Sequence, residues 1–193
     1  ERAEHPAALA RYDQALELCD ALDPARADVR LLAARVRSNR ALVSAEVGRF
    51  ERAIEELERA RSVFEAEGHA DSALAQALNI AYVQRGMGEY ADALRQLDRV
   101  ARAAEGQGAR AREASARHEK ALILLELGDC RSALWQAERA HALYANLESA
   151  AGADAEALVL CAEIQATLGD ADEAYELLDL AEALAAPDGG TQP

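Results

Sequence analysis

Four glycines divide the chain at nearly equal intervals: Gly48, Gly88, Gly128 and Gly169 lie 40, 40 and 41 residues apart. Aligning the chain on them brings other columns into register. Seven residues before each Gly stands Ala41, Ala81, Ala121 or Ala162. Five before it stands a β-branched residue, Val43, Val83, Ile123 or Ile164. The residue just before it is always large and apolar: Val47, Met87, Leu127 or Leu168. Five after it comes Ala53, Ala93, Ala133 or Ala174, and seven further on Ala60, Val100, Ala140 or Ala181. Such self-similarity at a fixed period is the mark of stacked supersecondary units.

Each unit reads as two helices, one running up to the Gly and one starting just after it. In residues 28 to 47, Val29, Leu32, Val36, Val43 and Val47 fall on one stripe at helical spacing. Phe50, Ile54, Leu57 and Phe64 do the same in the second helix. The Gly ends the first helix because the residue past a helix end often needs positive φ, which Gly adopts without strain. The Ala columns mark the helix crossings, where small side chains let backbones approach closely.

The links between hairpins carry their own punctuation. Gly68 ends one helix and Asp71 or Ser72 is positioned to cap the next. Gly106 and Gly108 precede Ala109, and Gly152 and Asp154 mark the last link. Asp23-Pro24 sets a capping residue before a Pro at a first helical position. Ala8, Leu9, Tyr12 and Ala15 match Ala53, Ile54, Leu57 and Ala60 at a constant offset of 45, so the first segment is an orphan second helix. The expectation is an all-α chain of nine helices over residues 1–186: an orphan helix at 6–22, then antiparallel hairpins at about 25–67, 70–105, 109–148 and 153–186. The Pro- and Gly-rich tail, 187–193, is expected to be disordered. Opening in mid-repeat without an initiator Met, the chain reads as a piece excised from a longer polypeptide.

Composition narrows the function. The formal charge is −14, which argues against nucleic acid, since phosphate binding needs clustered Lys and Arg. The arginines are interleaved with carboxylates, as in Arg49, Glu51, Arg52, Glu55, Glu56, Glu58 and Arg59, the pattern of a solvated helix face. Cys19, Cys130 and Cys161 form no CxxC, so free buried thiols in a reducing cytoplasm are expected, with neither zinc site nor disulfide framework. No apolar run approaches a membrane span. His118 to Leu122, HEKAL, begins like a zinc-protease motif, but Leu122 stands where the second His belongs. No phosphate loop or nucleophile motif appears, so neither an enzyme nor a cofactor is expected.

The small residue, the Gly seven on and the Ala five beyond it resemble the tetratricopeptide repeat (TPR) family. LNIAYVQRGMGEYADAL, residues 78–94, is the copy nearest that pattern, and the resemblance covers residues 3 to about 186. It implies a right-handed α-α superhelix whose first helices line a concave groove. There are departures. Ser44, Gln84, Leu124 and Gln165 replace the usual aromatic, no Pro closes the repeat, and the period exceeds the family's usual ~34 residues. Longer variants beside CHAT-protease or transcription-activator modules in GC-rich bacteria are similar in texture, RARSVFEAEG (59–68) especially.

Carried over by register, the groove positions are Arg35, Ser38, Asn39 and Leu42 in the first full hairpin and Leu78, Asn79, Tyr82 and Arg85 in the second. The third offers Ser115, His118, Glu119, Leu122 and Leu125, and the last Glu156, Val159, Glu163 and Ala166. Asn39 and Asn79 share one repeat position; in relatives an Asn there pairs with an extended peptide backbone, while the alternative is that both cap or bridge neighbouring helices. The carboxylate clamp of chaperone-tail binders is matched only at Asn79, so such a clamp is not expected. Arg35 and Arg85 either hold an acidic side chain of the partner or pair with nearby glutamates. Trp135, one position off the core stripe, either anchors a partner or packs on the next hairpin. The functional expectation is a scaffold for a protein or peptide. The alternatives are a regulatory arm of a larger effector and a homodimer formed through the end helices.

Overall fold

The computed structural model describes residues 4–147 and 149–185, and among these every regular element is a helix. The nine are α1 (Glu4–Asp20), α2 (Ala27–Glu46), α3 (Phe50–Ala66), α4 (Ala70–Gly86), α5 (Tyr90–Gln107), α6 (Arg110–Glu126), α7 (Cys130–Tyr144), α8 (Ala151–Leu168) and α9 (Ala171–Ala185). The expected tail at 187–193 lies outside the described residues. Tertiary contacts gather into two units, residues 1–96 and 97–193.

The glycines do what the spacing requires. Gly48, Gly68, Gly88, Gly108, Gly128 and Gly169 all have φ between 68° and 96°. At each, the residue after the Gly donates its N–H to a carbonyl five residues back, as in Arg49 to Ser44 at 2.8 Å and Asp129 to Leu124 at 2.9 Å. This closing bond satisfies a carbonyl that the helix end leaves free. The same residue then stands at or beside the start of the following helix, so the links are short.

In the first unit α2 packs against α1, α3 and α4, and α3 also packs against α4. Ala41, Ala45, Ala53, Leu57, Ile80 and Val83 form one core cluster, with Phe50, Ile54 and Met87 against it. Ala34, Ala60, Phe64 and Ala73 form another. In the second unit α7 joins α6 to α8, and α8 packs on α9. Ala121, Ala133, Ala137, Leu160, Cys161 and Ile164 make its main cluster. Every member of the three Ala-rich columns is at most 6 % exposed, so the crossings fall where the repeat places them.

The structure corrects the expected stripe. Leu32 is 47 % exposed and Val47 39 %, and Leu127 and Leu168 of the same column are exposed as well. The face of α2 that is buried carries Val29, Ala33, Ala34, Ser38, Ala41, Ser44 and Ala45. Close helix packing selects small residues for the seam, which pushes some large ones to its rim. The caps differ too. Arg26 is the N-cap of α2, and Asp23 instead accepts from the Ala25 N–H at 2.9 Å in the turn before it. His69 caps α4, leaving Asp71 in the first turn. Gly106 lies inside α5, and Gly152 and Asp154 inside α8.

Candidate functional site

The expected groove residues sit on the first helix of each hairpin. On α2, Arg35 and Asn39 are exposed and Leu42 is half-buried. On α4, Asn79 and Arg85 are half-buried, Tyr82 is 40 % exposed, and Leu78 is buried at 8 %, so Leu78 belongs to the core and not to a binding face. The Arg85 guanidinium lies 5.6 Å from the centre of the Tyr82 ring, a cation–π pair that gives this face a rigid aromatic element. Neither Asn39 nor Asn79 hydrogen-bonds through its side chain among the described residues.

In the second unit, His118, Glu119 and Leu122 of α6 are all half-buried. His118 and Leu122 line a cavity of about 670 Å³ together with residues of α8 and α9. Its apolar wall includes Val159, Leu178 and Ala181, and three glutamates, Glu156, Glu163 and Glu182, stand around it. Glu119 does not line it. The fourth-hairpin positions Glu156, Val159, Glu163 and Ala166 are exposed.

Trp135 is 51 % exposed. The guanidiniums of Arg139 and, from α6, Arg117 lie 5.1 and 5.9 Å from the centre of its ring. Arg117 is itself held by Glu113 at 2.7 Å.

Sequence reasoning missed the polar groups inside the packing. The sequence pattern places Glu56 on a solvated face, yet it is 4 % exposed. Both its oxygens accept from Arg40, at 2.8 and 3.0 Å, and Arg52 approaches at 3.1 Å. Arg40 also donates to Asp13, so one guanidinium ties α1, α2 and α3 together. Burial alone pulls the Arg40 pKa down, but its hydrogen bonds to Glu56 and Asp13, with their charges, outweigh it and the net shift is upward. In the second unit, His141 Nδ1 of α7 meets buried Asp154 Oδ1 of α8 at 2.6 Å. The available signal was the repeat itself: Arg40 and Glu56 occupy positions held by Cys161 and Leu177 in the last hairpin, so a polar pair had to replace an apolar one.

The thiols divide. Cys19 and Cys161 are buried, but Cys130 is only half-buried. Burial pushes the Cys161 thiol up to about 12. No helix among the described residues is long and apolar enough to cross a membrane.

No family model and no curated protein matches this sequence. Solved structures do resemble it. BtubC (BKLC) from P. vanneervenii is 21% identical over 100% of this chain and 77% of its own, with a TM-score of 0.74. The Rap conjugation gene regulator of the plasmid pLS20, in complex with the Phr* peptide, is 15% identical and has a TM-score of 0.80. That match covers 95% of this chain but 49% of the Rap chain, so the present chain spans about half of that regulator's length. A putative kinesin light chain of Podosopora anserina with nearly identical TPR-like repeats is 20% identical over 95% of this chain and 93% of its own, with a TM-score of 0.60. At such identities the likeness is one of fold, and the fold is the all-α, TPR-like array of antiparallel helical hairpins.

Proposed function

We propose that this chain is a protein-interaction scaffold that holds a peptide or a segment of a partner protein on the exposed faces of its first helices. The observation that carries the reading is the α4 face. An aromatic ring stacked on a guanidinium is half-exposed there, beside an Asn whose amide is uncommitted within the protein. Such a face presents a flat apolar plate, a cation and a group that both donates and accepts, which suits an extended backbone. Asn39 and Arg35 repeat the polar part of it on α2. The Rap regulator, of the same fold, was solved with a peptide bound, and this supports the reading. Repeat folds favour it as well, because each hairpin contacts only its neighbours and leaves a long surface free. The role is non-catalytic, the compartment cytoplasmic, and neither nucleic acid nor membrane is the ligand.

The test is a pull-down from the native organism's lysate, comparing the wild-type chain with Asn39→Ala/Asn79→Ala. The substitution touches no hydrogen bond of the fold, so the helical circular-dichroism signal and the melting curve should not change. A partner captured by the wild type and lost by the double variant is the expected result. Equal capture by both would move the site off these helices.

A second reading is a regulatory arm packed against an effector of CHAT-protease or transcription-activator type in the same polypeptide. The parent open reading frame decides it.

A further inference from the structure

The one Trp of the chain stands where the repeat puts a charge. Trp135 lies seven residues after Gly128, and the same place after Gly48, Gly88 and Gly169 is held by Glu55, Arg95 and Glu176. All four are exposed. On α3 the residues of this face, Glu51, Glu55 and Arg59, stay exposed although α2 and α4 both pack on that helix. The packing of hairpins therefore leaves the face to solvent, and a neighbouring hairpin does not cover it. In α3, Glu55 and Arg59 make an ion pair one turn apart at 3.7 Å. In α7 the same two places hold Trp135 and Arg139, so an indole replaces the carboxylate. The Arg139 guanidinium lies 5.1 Å from the ring centre and has no carboxylate partner among the described residues. Arg131, exposed one turn the other way, stands where α3 carries Glu51 and has none either. Arg117 of α6 also approaches the ring, but Glu113 holds it at 2.7 Å. Glu138 of α7 is exposed and pairs with neither free arginine; its charge acts on the Cys161 thiol of α8.

Arg131 and Arg139 are eight residues apart, about 12 Å along the helix axis, with Trp135 midway. In an extended chain alternate residues share a face and each residue rises ~3.3 Å, so residues i and i+4 lie about 13 Å apart with i+2 between them. We propose that the solvent face of α7 holds an extended acidic peptide segment of the pattern acidic–x–apolar–x–acidic. Its two carboxylates meet Arg131 and Arg139, and its apolar side chain lies on the Trp135 ring. The indole holds the Arg139 guanidinium in place before the ligand arrives, which lowers the cost of ordering it. A nucleic acid strand would also meet arginine and an aromatic there. Two unpaired guanidiniums in a chain of formal charge −14 do not offset its continuous charge, so the acidic peptide is the better fit. The site is separate from the first-helix face and does not rest on that reading.

Because the chain has a single Trp, its emission reports on this site alone. The probe is the peptide Gly-Ser-Glu-Ser-Leu-Ser-Glu-Ser-Gly, blocked at both ends and titrated into the whole 193-residue chain. A control of identical composition has its two Glu adjacent and its Leu at one end. The expected result is a blue shift of the Trp emission and binding of the spaced peptide at least about fivefold tighter than the control, weakening as salt rises. Arg131→Gln and Arg139→Gln should each weaken it by about fivefold. Trp135→Glu, which restores the arrangement of Glu55 and Arg59, should abolish it, as read by the anisotropy of a labelled copy of the peptide. Arg59→Gln and the double variant Asn39→Ala/Asn79→Ala lie outside the site and should change binding by less than about twofold. Arg131, Trp135 and Arg139 are exposed, so their variants should keep the wild-type melt, and the two arginine variants carry the test if Trp135→Glu does not. Equal binding of the two peptides, an unchanged Trp emission, or indifference to the α7 variants overturns the proposal. So does tighter binding of a single-stranded thymidine oligonucleotide than of the peptide, since nucleic acid would then be the ligand. A dimer seen by light scattering and split by Trp135→Glu overturns it too, since a second copy would then be the occupant.

Discussion

Replacing Glu56 by Leu isolates the energetics of the buried ion pair. Glu56 has a side chain only 5 % exposed, and its partner Arg40 is 13 % exposed. Glu56→Leu removes two hydrogen bonds from a guanidinium that cannot lose its proton. Removing one partner of a buried pair costs about 3–5 kcal/mol, because the other charge is left without compensation. Here the loss is reduced. Arg40 keeps Asp13, whose side chain is 53 % exposed and well solvated, and the new Leu buries apolar surface. We expect a net cost of about 2–4 kcal/mol, which at a urea m-value of about 3 kcal/mol/M lowers the midpoint by about 1 M. The double variant Arg40→Cys/Glu56→Leu copies the arrangement that Cys161 and Leu177 make in the last hairpin, where both join one apolar cluster. It should recover part of that loss, because the uncompensated charge is gone, although Cys is smaller than Arg and leaves space unfilled. The assay is urea unfolding followed by far-ultraviolet circular dichroism under reducing conditions. A single variant as stable as the wild type, or a double variant less stable than the single, would refute the reasoning.

Ala93 is fully buried at a helix crossing, so Ala93→Trp should overpack it and destabilise by about 1–3 kcal/mol; an unchanged melting curve would show that the Ala columns do not mark the crossings. Two glycine substitutions should act with opposite sign. Gly169 has a φ of 96° with open space about it, so Gly169→Ala costs about 1–2 kcal/mol through backbone conformation alone. Gly106 is helical, with open space around it, so Gly106→Ala should stabilise by about 0.5–1 kcal/mol, both changes being read as urea midpoints. At mildly alkaline pH a colorimetric thiol reagent should modify Cys130 first, while Cys161, pushed up to about 12, reacts only on unfolding. Because the folded value lies above the unfolded one, this group's contribution is complete below the ordinary thiol range and is lost as pH rises toward about 12. Burial, partly offset by the Ser115 hydrogen bond, raises the Tyr144 phenol as well, so the melting temperature should fall on the alkaline side; a rise would overturn the assignment.

The repeat was legible because it rests on local chemistry. Gly169, Gly128 and their counterparts are needed for positive φ whatever surrounds them, and Ala93 and Ala133 for close approach of two backbones. Those requirements act within one hairpin, and a single hairpin's sequence contains them. The number of helices and their all-α class follow from the same periodicity. The misreadings share a different cause. Leu32, Val47 and Leu127 are large and apolar, but whether such a residue is covered depends on a neighbouring hairpin that its own segment does not describe. The same holds for Asp154, which the local pattern places in a link and which the structure buries against His141 of the helix before it. Glu56 looks like its exposed neighbours Glu55 and Glu58 until Arg40, sixteen residues earlier, is folded over it. The cavity between α6, α8 and α9 is the extreme case. None of its residues departs from an ordinary helix, and its acidic rim exists only because α8 and α9 bring Glu156, Glu163 and Glu182 around one apolar wall. Periodicity determines which elements form and where they turn. Burial and charge placement are properties of pairs of elements, and only the tertiary structure decides them.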